Sequence, residues 1–452
     1  MRLPAPEAVS PASFGEVVAE RHRDGEVYVH LYAPDDGHVE AVLVGGEGPV
    51  RVRARRPAGA PSLRGLRVAK ADEARIEGAW LDGRRHRSEV RVLHAGTFIF
   101  PIGPVRGDIM ESIAWRLNSL GDEVVHLTLG AGYKHRGVEA ALAGRTLEEG
   151  VAVAERVTGT STVAHTWAYL SAVEAATGTP VPPRAQWLRG VLAEAERVMN
   201  HLGDLGTLAA STGLPVAQME LLALKESLLR LNRELGGHRY LRGMLAPGGL
   251  VHDPGDAAVE RFVDGLLALR APFQRTIRDL DRTTSFLDRL VRAGTVPPPA
   301  AASLEPLGPV GRACGRKVDA RCDAPYGPYA ERPVPVATAD EGDAWARYRV
   351  RIAEVGHSLD WLAAARSLPA GPVRLPPGSA SGTALARVEG PRGEIAYVLE
   401  VGSDGRVAWA RIRTPSMRNW PTVPLAVANG NVLQDVPIID ASLMLSVAGL
   451  DL

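Results

Sequence analysis

Cysteine is nearly absent from this chain: its 452 residues carry two, Cys314 and Cys322. An iron–sulfur cluster usually takes four thiolates, so the chain is not expected to bind one of its own. No Cys-x-x-Cys or His-x-x-x-His pair accompanies the two cysteines, which argues against structural zinc. They read as isolated thiols, kept reduced in a cytosolic setting. Long apolar runs are also missing, and no window reaches the roughly 18 residues of a membrane span. The start, Met1-Arg2-Leu3-Pro4-Ala5-Pro6, lacks the apolar core of a secretory signal. Charge of one sign is not in excess: Lys+Arg and Asp+Glu are 52 each. That balance excludes nucleic acid or an anionic membrane surface as the main partner. No G-x-x-x-x-G-K-[ST] loop, no G-x-G-x-x-G after a strand and no G-x-S-x-G elbow occurs, so nucleotide binding and serine-hydrolase chemistry have no support.

What is present suffices for two or three domains or one large one, with 45% apolar residues available for a core. Residues 1–95 read as a short strand-rich domain. Val27–Tyr32 alternates at period two, and Val39–Val44 and Val50–Arg55 follow as strands. Arg84-Arg85-His86-Arg87 reads as a solvated basic loop. Phe98–Pro104 opens a second domain, 96–452, and with Val124–Leu129 predicts a sheet edge or hairpin.

From Thr146 the period becomes helical. Leu147, Val151, Ala154 and Val157 share a face, and a second helix runs from after Thr162 to about Thr177. Pro182-Pro183 starts a third, with His201 as a core or cap histidine. Helices are also expected over Gln218–Leu235, Trp345–Ala365 and, with Asp256 as N-cap, Asp256–Ala293. Residues 294–311 read as a linker, and the tail from Ala384 as strands and turns. The expected class is α+β, mainly α: a helical bundle with peripheral β elements and a small N-terminal α/β domain.

Several motifs carry a family resemblance. Arg156-Val157-Thr158-Gly159-Thr160-Ser161-Thr162-Val163-Ala164-His165 resembles R-x-C-G-x-C-x-x-x-H, the first nickel-binding signature of nickel–iron hydrogenase large subunits. Tyr133-Lys134-His135-Arg136-Gly137-Val138-Glu139 resembles K-H-R-G-[IV]-E. Gly237–Gly243 with Pro247-Gly248-Gly249 resembles G-H-R-[FY]-L-R-G…P-G-G. Glu389–Glu394 resembles E-x-P-R-G-E, and Arg411–Ser416 resembles R-[IV]-R-[TP]-P-S. In this order, over roughly residues 98–452, they identify the chain as similar to large subunits of energy-converting (group 4) hydrogenases, the formate hydrogenlyase type, and to the 49 kDa subunit of respiratory complex I. Residues 1–95 stand where some relatives carry a fused 30 kDa-type complex I subunit. Asp72-Glu73-Ala74-Arg75-Ile76-Glu77 loosely resembles that domain's acidic element, as in a truncated copy.

The resemblance implies four thiolates that hold nickel and iron, two in R-x-C-G-x-C and two in a C-terminal D-P-C-x-x-C. Here those positions are Thr158, Ser161, Ser446 and Gly449, with Met444 and Leu445 in place of the Asp-Pro. Hydroxyls ionise far too reluctantly to act as soft anionic ligands, so no metal is expected. The complex I branch implies two histidines and a tyrosine near a quinone headgroup; the matching positions are Arg106, Met110 and Gly159.

Other residues of the frame persist. Arg156 matches an arginine near the neighbouring subunit's iron–sulfur cluster, and His165 matches the motif's histidine. Arg156, His165, Glu139 and Arg106 are the candidates for cluster-facing or proton-relay roles. His135, Arg136, Arg239 and Arg242 join Glu139 either as a buried ion-pair network or as a proton relay.

The leading expectation is a subunit of a membrane-associated oxidoreductase complex, cytoplasmic and peripheral on the inner face of the cell membrane. It would dock a small iron–sulfur subunit, contact membrane-arm subunits and couple electron transfer to proton or ion movement, with no cofactor of its own. A second reading has a quinone reduced in the old cavity, favoured by a polar, open cavity lined by Arg106, Thr158 and Ser161. A third is a non-catalytic scaffold, favoured by a cavity filled by Met110, Met444 and Leu445.

Overall fold

Five short strands are all that is described of residues 1–95, by backbone alone; residues 96–105 and 111–452 are described in full in this computed structural model. β1 (Val29–Tyr32), β2 (His38–Gly45) and β3 (Gly48–Arg55) form an antiparallel sheet, and β4 (Arg67–Ala69) pairs with β5 (Arg75–Glu77). β1, β2 and β3 match the expected segments; β4 and β5 were not expected. No helix occurs among the described residues here, so the helical part of the expected α/β domain rests on none of them. The basic run Arg84–Arg87 and residues 72–74 lie outside the described residues.

The main body opens with a meander, β6 (Thr97–Ile102), β7 (Ala114–Leu120) and β8 (Glu123–Gly130). The hairpin expected from the outer stretches gains a middle strand. Ala114–Leu120 carries Arg and Asn at alternate positions, which masks its apolar face. That face is real: Trp115, Leu117, Val124 and Leu127 are all buried.

Helices then dominate. α1 (Val138–Leu142) is followed by α2 (Leu147–Ala154), whose start is a capping box: Thr146 Oγ1 accepts the Glu149 N–H at 3.2 Å, and Glu149 accepts the Thr146 N–H at 2.9 Å. α3 (Thr162–Thr177) is buried on nearly every side, as a helix at the centre of a fold must be. Its Trp167, Leu170 and Val173 each contribute roughly 1.5–3 kcal/mol by burial. α4 (Pro183–Ser211) and α5 (Pro215–Gly236) each begin with a proline, whose missing N–H is harmless at a helix start. The short hairpin β9 (Leu245–Ala246) and β10 (Gly249–Leu250) follows.

The single helix expected over Asp256–Ala293 is three: α6 (Asp256–Ala268), α7 (Arg270–Asp281) and α8 (Thr284–Leu290). Pro272 explains the first break, because inside a continuous helix it would lack its N–H and clash with the carbonyl at 268. Asp256 is not the N-cap; Gly255 is, and Asp256 instead pairs with Arg184 at 2.7 Å. The expected linker also folds. α9 (Pro298–Leu304) and α10 (Gly308–Arg312) use its prolines as first-turn residues.

After α11 (Ala320–Asp323) comes α12 (Ala344–Ala364), capped by Asp343. β11 (Gly382–Gly390), β12 (Gly393–Val401) and β13 (Val407–Arg413) form a second antiparallel meander, whose first two strands pack on α3. The tail then returns to helix, against expectation: α13 (Pro415–Asn419), α14 (Thr422–Val427), α15 (Val436–Leu443) and α16 (Val447–Asp451). The class is α+β, mainly α, as expected. No helix of the described residues is long and apolar enough to cross a membrane.

Candidate functional site

Two turns build the site. In the first, the chain leaves α2 and bends into α3. The Ser161 N–H donates to the Thr158 carbonyl at 3.1 Å, and Ser161 becomes the residue before α3. Glu196 of α4 seats the start of that helix, its carboxylate accepting the N–H groups of Val163 and Ala164 at 2.6 and 3.0 Å. In the second, α15 ends at Met444 in the left-handed region, φ 49°. Ser446 Oγ then accepts the Gly449 N–H at 3.0 Å and starts α16.

The turns meet. Thr158, Ser161, His165, Arg392, Thr414, Ser416 and Ser446 line one small cavity. Gly449 borders it: a β-carbon there would lie 3.3 Å from Thr414 Oγ1 and 3.4 Å from Thr158 Oγ1. The cavity has room for about one water. His165 is 1% exposed, with Nε2 3.2 Å from Thr158 Oγ1 and Nδ1 3.1 Å from the Tyr397 hydroxyl. Burial first, then the charge of Arg136, pulls its pKa down to about 3, so the ring is neutral. Each hydroxyl can give or take a hydrogen bond, so both imidazole tautomers are served.

Arg136 joins the two halves. Its guanidinium donates to the carbonyls of Arg156 (2.8 Å) and Val157 (2.7 Å) in the first turn and to that of Ala448 (3.0 Å) in the second. His135 Nδ1 donates to the Asp451 carbonyl at 2.7 Å, and the Asp451 carboxylate accepts the N–H groups of Gly132 and Lys134. Glu139 accepts the Ile412 N–H at 2.7 Å and pairs with Arg411 at 3.7 Å. The Lys134–Glu139 segment therefore clamps both turns and β13 together.

Sequence comparison matches residues 136–210 to the model of nickel-dependent hydrogenases and residues 212–378 to that of the 49 kDa subunit of respiratory-chain NADH dehydrogenase. The carbon monoxide-induced hydrogenase of Rhodospirillum rubrum is 30% identical over 348 residues, which cover 76% of this chain and 96% of the relative. The chain belongs to the family of group 4 hydrogenase large subunits and complex I 49 kDa subunits. Formate hydrogenlyase subunit 5 of Escherichia coli is also 30% identical, covering 76% of this chain and 61% of that one. An NADH-quinone oxidoreductase subunit of Dehalococcoides mccartyi is 30% identical, with 72% and 90% covered. Among solved structures, a chain of the membrane-bound sulfane sulfur reductase, an archaeal respiratory membrane complex, superposes with a TM-score of 0.74 at 27% identity, covering 80% of this chain and 100% of that one.

Within this family's frame, a nickel–iron centre does not fit the donors present. The positions that the resemblance gives to the four thiolates converge, but they offer three hydroxyls and a glycine. Among the described residues, no group of three or more His, Cys, Asp or Glu gathers that could hold a metal. Cys314 and Cys322 are not part of the site; their thiols donate to the carbonyls of Val310 and Val334.

The other expected residues spread out. Arg156 is 54% exposed, donates to the Ala152 carbonyl at 2.7 Å and pairs with Glu155 at 3.3 Å. Arg239 lies half-exposed just beyond the end of α5, paired with Glu226. Arg242 is half-buried and its Nε has no hydrogen bond. These residues and the Lys134–Glu139 clamp do not form one buried network. Met444 and Leu445 are half-buried and do not line the cavity. Arg106 and Met110 lie outside the described residues.

A buried network does exist, built mostly on residues that sequence reasoning passed over. Arg312 bridges Glu354 (2.8 Å) and Glu389 (2.9 Å), and Glu354 also holds His201 Nε2 at 2.8 Å. Arg321 pairs with Asp319 (2.6 Å) and Glu194 (3.0 Å). His201 is fully buried, as a core histidine should be, and burial lowers its pKa. The available signal was Glu194, Arg197 and His201 at helical spacing on one face of α4, which forces charge into the core.

Proposed function

We propose that this chain is the large subunit of a membrane-associated oxidoreductase complex that has given up nickel–iron chemistry and kept the electron-transfer frame. The observation that carries this is the convergence of all four former ligand positions, without one thiol, beneath a turn that presents a half-exposed Arg156. Arg156 faces a small iron–sulfur subunit, where its charge stabilises the reduced cluster and raises its potential. Relatives named as a membrane-bound hydrogenase subunit and as NADH-quinone oxidoreductase subunits support membrane-arm partners and a peripheral position at the membrane, on its inner face in this reading. Residues 1–95 act as the 30 kDa-type part. Electron arrival is coupled to proton or ion movement through the buried charges around the cavity.

Affinity isolation of the tagged chain from detergent-treated membranes tests this reading. It predicts co-purification of a small protein with acid-labile sulfide and of polytopic membrane proteins, and weakened capture of the former by Arg156→Glu. A chain recovered alone from native membranes contradicts it. Quinone reduction has weaker support, because the described residues leave the cavity room for about one water. Of the apolar plug that the scaffold reading expects, Met444 and Leu445 stay out of the cavity, and Met110 lies outside the described residues.

A further inference from the structure

Arg392 connects the cavity to the interior of the helical body. It lines the cavity, donates to Thr160 Oγ1 at 3.0 Å and Asn200 Oδ1 at 3.2 Å, and meets Asp204 Oδ1 at 3.3 Å. Asp204 is 3% exposed. Its other oxygen, Oδ2, faces Arg351 Nε at 3.4 Å as an ion pair, yet neither atom makes a hydrogen bond. On the same helix, His201 Nδ1 is also buried without a partner. Buried polar atoms left unpartnered in one place are a natural seat for ordered water.

Lys225 of α5 approaches this cluster from the side. Its side chain lies over Gly203 of α4, where an added β-carbon would be 2.8 Å from Lys225 Nζ. Glycine inside a helix costs about 0.5–1 kcal/mol relative to alanine. Here the missing β-carbon admits an ammonium beside Asp204. Lys225 is half-buried and, among the described residues, has no hydrogen-bond or ion-pair partner. Burial lowers its pKa; the charge of Asp204 opposes the fall and that of Arg392 adds to it. Such an amine gives up and regains a proton more readily than a surface lysine.

We propose that Lys225 and Asp204 form the proton-exchange route between the outside of the chain and the hydroxyl-lined cavity. The route rests on the reading that this subunit couples electron arrival to proton movement, and it names the groups that carry the proton. The Lys225 Nζ–H bond breaks, a bridging water relays the proton, and an O–H bond forms at Asp204 Oδ2. Arg392 both holds Asp204 and lines the cavity, so the proton rests on Asp204 beside the cavity wall, where it balances the arriving electron, and it leaves by the same route on reoxidation. Lys225 is reprotonated from solvent. The other charged or titratable groups around the pair are His201, Glu196, Arg351, Glu354 and Arg392; burial disfavours the charged forms of His201 and Glu196, and the arginines keep their protons throughout.

The native complex, mixed by stopped flow with reduced methyl viologen in weak buffer containing a pH-indicator dye, tests the route. Cluster absorbance follows the electron, and the dye follows the proton. The wild type is expected to take up protons as the cluster is reduced. Lys225→Met and Asp204→Asn should slow that uptake about 100-fold at an unchanged extent of cluster reduction, and Asp204→Glu should restore part of the rate. Lys225 is half-exposed, so its variant carries the test even if Asp204→Asn fails to assemble. Uptake at the wild-type rate in Lys225→Met overturns the route alone. Absence of uptake in the wild type overturns the coupling reading and the route with it.

Discussion

Thr158 Oγ1 lies 3.4 Å from the position a β-carbon on Gly449 would occupy, although the two residues belong to turns at opposite ends of the helical body's sequence. With Ser161 and Ser446 lining the same cavity, the four positions that the resemblance gives to metal ligands converge. A chain with cysteine at positions 158, 161, 446 and 449 is therefore expected to bind about one Cd2+ or Zn2+, since four thiolates favour such soft or borderline ions. The native chain should bind none there. Elemental analysis after desalting decides it, and equal metal in both proteins would count against the convergence.

The Arg136 clamp is a stability element. Arg136→Ala removes charge-assisted hydrogen bonds to the carbonyls of Arg156, Val157 and Ala448. A loss of roughly 1–2 kcal/mol is expected from such a set on a largely exposed side chain. Denaturant unfolding measures it, and an unchanged midpoint contradicts the assignment.

The buried charges should be far less tolerant. Arg312→Met removes the cation that bridges Glu354 and Glu389, both buried, and should cost about 3–5 kcal/mol. Adding Glu389→Gln should recover part of that loss, because one of the two buried negative charges is then gone. A double variant less stable than the sum of the single losses would contradict the pairing.

His165 sets a pH dependence with a definite sign. Its folded pKa, about 3, lies below the unfolded value of 6.5. Between these values the unfolded chain binds the extra proton, so this contribution is complete above about pH 6.5 and is lost as the pH falls towards 3. At pH 5 the loss is on the order of 2 kcal/mol. His165→Gln should flatten the acid side of the stability profile relative to the wild type; parallel profiles would show that folding does not lower the ring's pKa.

Much of this was legible in the sequence. Thr146 and Pro183 mark real helix starts, and the motif order places the chain in its family. What was missed has local causes. Pro272 breaks a helix whose apolar period runs on, and Pro298 and Pro309 start helices that composition reads as linker. The clamp role of Arg136 and His135 was hidden because their partners are backbone carbonyls, which carry no side-chain signal. The roles of Asp204 and Lys225 depend on which faces of α4 and α5 meet, and Gly203 reveals that contact only in three dimensions.

The measurement that bears most directly on the central claim is the metal content of the native complex, with nickel and iron assigned to individual subunits. Nickel well below one per chain, with all iron accounted for by the partner's clusters, is the predicted result. Stoichiometric nickel held by this chain would contradict it.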